Sequence, residues 1–143
     1  MRELATLPVF YALAGRRVVV AGGTEAAAWK ADLAAAAGAE VHVFAPSPSQ
    51  RLRAVAAARP RLALVERGWR AEDLDGAALA LAAIEDDAEA ERFRDAAKSR
   101  GVALNIVDRP ALSDFSIGAI VNRSPLVVGV STGGAAPAFA QAL

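Results

Sequence analysis

The chain has 143 residues, enough for one domain with a substantial buried core, and its 16 basic and 16 acidic residues cancel to a formal net charge of zero. That balance gives no general electrostatic draw towards nucleic acid or an anionic membrane, so a bound anion must be held by a local cluster or by backbone N–H groups. With no Cys and the single His42, disulfides, thiol nucleophiles, Cys-zinc sites and multi-histidine metal sites are excluded.

The opening segment "MRELATLPVFYALAGRR" has an acid near its start and only a short, broken apolar stretch, which does not fit a secretory signal. No apolar run reaches the roughly 20 residues a membrane span needs, and the cytoplasm is the expected compartment. Residues 18–21 read as a first strand, fully buried because nothing polar alternates with its apolar residues. A helix follows over 25–37 and stops at Gly38, a residue suited to helix C-termini. A second strand at 41–45 ends in "PSPS", which leads into a helix over 50–58 that stops ahead of Pro60.

A third strand is expected at 62–66, a loop with one helical turn in "GWRAEDLDG", and a fourth strand at 79–84. "EDDAEAERFRDAAKSRG" has acids in its first turn, bases in its last and Gly101 after it, which marks a helix. A fifth strand covers 102–107. Repeated strand–helix–strand units imply an α/β, Rossmann-like, doubly wound and mainly parallel sheet with right-handed crossovers. Beyond Asp108 the pattern changes. "FSIGAIV" and "LVVGVS" flank the turn-rich "NRSP", so a hairpin or paired strands at the sheet's end is expected. "TGGAAPAFAQAL" then begins a helix with no stop signal, the truncated start of a longer one; hairpin and helix start together take up about 112–143 of a single 1–143 domain.

"RVVVAGGTEAAAWK" turns from the first strand into the first helix through Gly22 and Gly23, with Thr24 where a further fingerprint glycine would stand. Such a turn lets a pyrophosphate approach free N–H groups at the positive end of the helix dipole. Thr24 takes some room yet can donate its hydroxyl to a phosphate. The other reading is a tight turn into an alanine helix; the β-α-β context favours the nucleotide. No acid stands near the end of the second strand, where Ser47 and Ser49 are found, and the following Arg51 and Arg53 leave a 2′-phosphate open. His42 reads as a packed histidine. "ALNIVDRP" places Asn105 and then Asp108 at the carboxyl end of the fifth strand, where open parallel sheets bind ligands. Asp108 reads either as a proton acceptor or as a turn former ahead of Arg109-Pro110.

"LPVFYALAGRRVVVAGG", "AAAWKADLAAAAGAEVHVFAP", "LALAAIEDD", "GVALNIVD" and, most distinctively, "DFSIGAIVNRSPLVVGVSTGGAAP" occur in an order and spacing that resembles the N-terminal domain of the siroheme synthase family, the precorrin-2 dehydrogenases and sirohydrochlorin ferrochelatases. The resemblance covers nearly the whole chain. It implies that NAD⁺ takes a hydride from precorrin-2 with loss of a proton, giving sirohydrochlorin, and that in many members Fe²⁺, a transient substrate, is then inserted to give siroheme.

The resemblance implies that Gly22 and Gly23, with Glu25 and Ala26 at the helix start, lie over the pyrophosphate, Thr24 standing for a third glycine. Pro46 and Ser47 fall at the ribose end, and Ala83 and Ile84 end the fourth strand beside the cofactor. Asp108 falls on the aspartate implicated as acid/base in both reactions, and Thr132 on a serine near the tetrapyrrole pocket. Asn105 belongs with the substrate residues. The substrate carries many carboxylates, so Arg109 and Arg123 are candidate anchors, Arg123 reading equally well as a solvated turn residue. Chelation needs a base rather than a resident metal site. A homodimer is implied, with the dimerisation helices and any methyltransferase domain of longer members not represented here. Two other readings stay open: a dehydrogenase without chelatase activity, and a non-catalytic NAD(H)-binding regulatory module.

Overall fold

The valine run that follows Arg17 leaves no residue with a polar reason to face water, and the resulting strand, β1 (Arg17–Ala21), lies at the centre of a five-stranded parallel sheet. In the computed structural model, residues 1–133 are described, and the chain divides into two compact units. One unit is Ala12–Phe115; the other combines Met1–Tyr11 with the segment from Ser116 onward.

In the Ala12–Phe115 unit the remaining strands are β2 (Glu40–Phe44), β3 (Leu62–Val65), β4 (Leu79–Ala82) and β5 (Ala103–Ile106), in the spatial order β3-β2-β1-β4-β5. Helix α1 (Glu25–Ala36) is begun by Thr24, whose side chain accepts from the Ala27 N–H at 3.3 Å, and Glu25 complements the dipole in its first turn. Ala27, Ala28, Ala31 and Ala34 form its buried stripe, so the helix approaches the sheet closely. Helix α2 (Gln50–Ala58) is capped by Ser49 and buries Leu52. Helix α3 (Asp87–Ser99) is capped by Asp86 and buries Phe93, which meets Trp69 edge-to-face at 5.0 Å. The one helical turn expected in "GWRAEDLDG" is a 3₁₀ turn at Ala71–Leu74.

Val19, Ala21, Ala80, Ala82, Leu104 and Ile106 join the α3 residues in one core cluster. Strand alternation then puts Val18, Val20, Leu81 and Asn105 on the opposite face, the one that α1 covers. Expected and observed boundaries differ by one or two residues. The largest shift is in β4, which ends at Ala82, so Ala83 and Ile84 lie just past the strand rather than in it.

The second unit contains a hairpin of β6 (Ala119–Arg123) and β7 (Leu126–Val130), antiparallel and in a two-stranded sheet of their own. The expected hairpin is thus present, and its strands pair with each other rather than joining the main sheet. The outer edge of β5 is already occupied: the Leu104 N–H donates to the Asp114 carboxylate at 3.0 Å, Asp114 N–H returns a bond to Leu104 O at 2.8 Å, and Ile106 N–H donates to Ser113 Oγ at 2.9 Å. With those donors spent, no further strand can pair there. The hairpin turn is also tighter than "NRSP", because Asn122 and Arg123 extend β6 and the Asn122 side chain accepts from Ser124 N–H at 3.1 Å. The helix expected after the hairpin falls mainly on 134–143, outside the described residues.

Candidate functional site

The crossover from β1 leads to β2 on one side while β4 pairs on the other, so the carboxyl ends of β1 and β4 flank the point where the winding reverses. Crevices at such points are where open α/β sheets bind ligands. The glycine turn is built into this point by close approach. Gly22 has φ +122°, and a Cβ there would fall 2.5 Å from Ala83 O; its N–H donates to Phe44 O at 3.0 Å. A Cβ on Gly23 would fall 2.6 Å from Ser47 O, and Gly23 O accepts from Ser49 N–H at 2.8 Å. Gly22, Gly23, Ser47 and Ala83, expected separately from the sequence, are thus brought into contact by backbone alone. Pro46 is exposed beside Ser47, whereas Ile84 is buried just beyond Ala83.

The first-turn N–H groups of Glu25 and Ala26 have no acceptor within the helix, and both residues are exposed. A nucleotide pyrophosphate fits this arrangement: side-chain-free backbone on one side and unspent N–H donors at a helix N-terminus on the other. The Thr24 hydroxyl oxygen is the α1 cap, and a hydroxyl that accepts one bond keeps its own proton to donate to a phosphate. At the end of β2, Arg53 is paired with Glu66, which leaves Arg51 in the first turn of α2 as the exposed cation there.

Asp108 stands exposed at the end of β5 with φ 57°, a left-handed conformation uncommon for non-glycine residues and enriched for Asp. Arg109 follows it. Its guanidinium donates to Ile84 O at 3.2 Å, to Glu85 O and to the Asp87 carboxylate at 2.6 Å. Three of its five N–H donors thus go to the loop between β4 and α3 and tie that loop to the end of β5, which leaves two for the substrate carboxylates it is expected to anchor.

Asn105, expected among the substrate residues, is instead turned inward. It is 9% exposed, its Nδ2 donates to Phe115 O at 3.0 Å, and its Oδ1 accepts from Lys30 Nζ. With both ends of the amide spent inside the protein, it supports the site and presents nothing to a substrate. Arg123, in β6, is exposed and donates to Asn122 O at 2.9 Å, and Thr132 follows β7; both belong to the hairpin unit.

Three residues of the site were not anticipated. Ser113 and Asp114 sit in an irregular segment with no periodic signal. Lys30 had one: it lies three residues after Ala27 and four before Ala34, on the apolar stripe of α1, and is 7% exposed. Burial lowers its pKa, while the Asp108 carboxylate opposes that shift. His42 is a packed strand residue with Nδ1 buried and without a partner among the described residues, and burial pushes its pKa down, with Arg17 adding to the effect. Among the described residues, no three His, Asp or Glu side chains cluster as metal ligands would, and no helix is long and apolar enough to cross a membrane.

The chain is similar to known proteins in sequence and in fold. Over 135 residues, 94% of its length, the chain is 43% identical to a siroheme synthase of Ectopseudomonas mendocina (strain ymp) and 44% identical to one of Pseudomonas entomophila (strain L48). It spans only 29% of the length of these relatives. Among solved structures it is similar to a precorrin-2 dehydrogenase, with a TM-score of 0.73 and 24% identity, over 96% of this chain and 67% of that one. Residues 9–119 match a family model described as "Putative NAD(P)-binding". The chain belongs to that NAD(P)-binding family.

Proposed function

We propose that the chain is the dehydrogenase part of a siroheme-forming enzyme, oxidising precorrin-2 to sirohydrochlorin. The observation that carries the reading is the pairing of a glycine-built nucleotide turn with an exposed carboxylate on the same sheet edge, one strand beyond β4. Bound NAD⁺ supplies an acceptor for the hydride that the substrate loses. The chain's own part is to hold the pyrophosphate on Gly22, Gly23 and the Glu25 and Ala26 N–H groups, with Pro46 and Ser47 at the ribose and Ala83 and Ile84 walling the β4 side. Asp108 accepts the accompanying proton. The same carboxylate can take pyrrole protons when Fe²⁺ enters sirohydrochlorin as substrate, and the names of the siroheme synthase relatives favour this second activity. Arg123 and Thr132 are assigned to the tetrapyrrole. The reading includes a homodimer acting in the cytoplasm, which light scattering and fractionation test.

The central test supplies precorrin-2 and NAD⁺ to the full-length protein, follows NADH, then adds Fe²⁺ and follows siroheme absorbance. Asp108→Ala is expected to lower turnover by roughly 100-fold or more while leaving NAD⁺ affinity within a few-fold. Wild-type turnover by that variant removes Asp108 from the mechanism; NADH formation without siroheme leaves a dehydrogenase alone.

A further inference from the structure

Lys30 is the one buried lysine or arginine side chain among the described residues, and it lies in the α1 face that covers the sheet. Its partner is remote in sequence and near in space. The ammonium donates to Asn105 Oδ1, 75 residues away on β5 and three residues before Asp108. The Asn105 amide has no freedom in this, because its Nδ2 already donates to Phe115 O and the oxygen must face Lys30. A chain of contacts therefore runs from α1, the helix that begins at the nucleotide turn, through Asn105 to the segment that follows Asp108.

We propose that Lys30 is a positioning residue of the proton-transfer site, its buried ammonium held by Asn105 as the fixed countercharge of Asp108. The inference rests on Asp108 being the proton acceptor of the reaction proposed above. In that reaction precorrin-2 gives a hydride to NAD⁺ and a proton to the Asp108 carboxylate, so one negative charge on the protein is discharged at each turnover. A buried cation that stays in place on Asn105, three residues before the carboxylate, fixes where that charge sits before the proton arrives. A hydrophobic side chain would cover the same sheet surface without the cost of burying a charge; what it would not supply is this field or the bond to Asn105.

The electrostatic surroundings single out Asp108. Val19 and Ala21 face the α3 side, so their strand-mates Arg17, Glu40 and His42 face that side too, away from α1. Of the charges on α2, Arg59 is paired with Asp32 at 2.8 Å and Arg53 with Glu66. The field that opposes the desolvation of Lys30 comes from Asp108.

The test has two arms. In the first, ¹³Cε-lysine NMR follows the Lys30 titration in the wild-type protein and in Asp108→Asn. Removing the carboxylate charge is expected to lower the Lys30 pKa further, by roughly half a unit to one unit. A Lys30 resonance whose titration is the same in both proteins overturns the proposal. This arm needs no turnover, so it stands even if the protein does not oxidise precorrin-2, and Asp108 is exposed enough for the Asn variant to fold.

The second arm compares Lys30→Met with Lys30→Arg. Lys30→Met is expected to lower kcat about tenfold or more, an effect the size of one charged hydrogen bond. The KM for precorrin-2 and the Kd for NAD⁺ should stay within about threefold, and Lys30→Arg should recover part of kcat. A folded Lys30→Met with wild-type kcat overturns the proposal, as does a loss that falls on NAD⁺ affinity alone. If Lys30→Met does not fold, the NMR arm decides. Absence of NADH from the wild-type protein counts against the dehydrogenase reading and leaves the first arm to judge Lys30.

Discussion

At the end of β1 the backbone makes the site, whereas at the end of β5 side chains make it. Gly22 and Gly23 work by having nothing where a Cβ would meet Ala83 O or Ser47 O. Around Asp108, Arg109 bonds to the β4–α3 loop, Ser113 and Asp114 bond along the β5 edge, and Lys30 bonds to Asn105. The first construction is intolerant of any added atom; the second is a network in which each member carries part of the load and can be removed singly. The two ends should therefore respond differently to substitution.

The largest effect is expected from Gly22→Ala, which combines φ +122° with a Cβ 2.5 Å from a carbonyl oxygen. Strain of this kind costs on the order of 2–3 kcal/mol, and displacing Ala83 should weaken NAD⁺ binding by roughly 100-fold, equivalent to about 2.7 kcal/mol. Thermal unfolding and calorimetric titration with NAD⁺ check it; unchanged NAD⁺ affinity would mean that the turn does not hold the pyrophosphate. A smaller effect is expected from Ser113→Ala, which takes the acceptor from Ile106 N–H. The cost should be about 1 kcal/mol, read from urea unfolding, with NAD⁺ affinity unaltered. Equal damage to both properties would erase the distinction between the two ends. Thr24→Gly should do least. Replacing a threonine cap by glycine costs only a few tenths of a kcal/mol, and the room gained should keep or improve NAD⁺ affinity. A large loss would give the Thr24 hydroxyl a phosphate contact beyond its capping bond.

The same contrast explains what could be read before the structure was known. Strand and helix positions, the parallel topology and the glycine turn depend on signals confined to a few neighbours: valine runs, capping residues and adjacent glycines. Asp108 was legible as a candidate because it ends a strand. Its supports were not, since Lys30 and Asn105 are 75 residues apart and Arg109 reaches back to Ile84 and Glu85. Arginine and asparagine beside a candidate carboxylate suggest substrate contacts when their partners are unknown; here Asn105 and three of the five Arg109 donors serve the protein. The hairpin shows another limit. Its alternation and turn are local and were found, but whether it joins the main sheet depends on the β5 edge, which Ser113 and Asp114 decide.

That edge has a consequence beyond the site. An outer strand with free N–H groups invites pairing with a strand of another molecule, the usual route to edge-to-edge aggregation. Leu104 and Ile106 have no such donors left, because a carboxylate and a hydroxyl from the same chain have taken them. The segment that steadies Asp108 thereby also closes one side of the sheet to intermolecular growth.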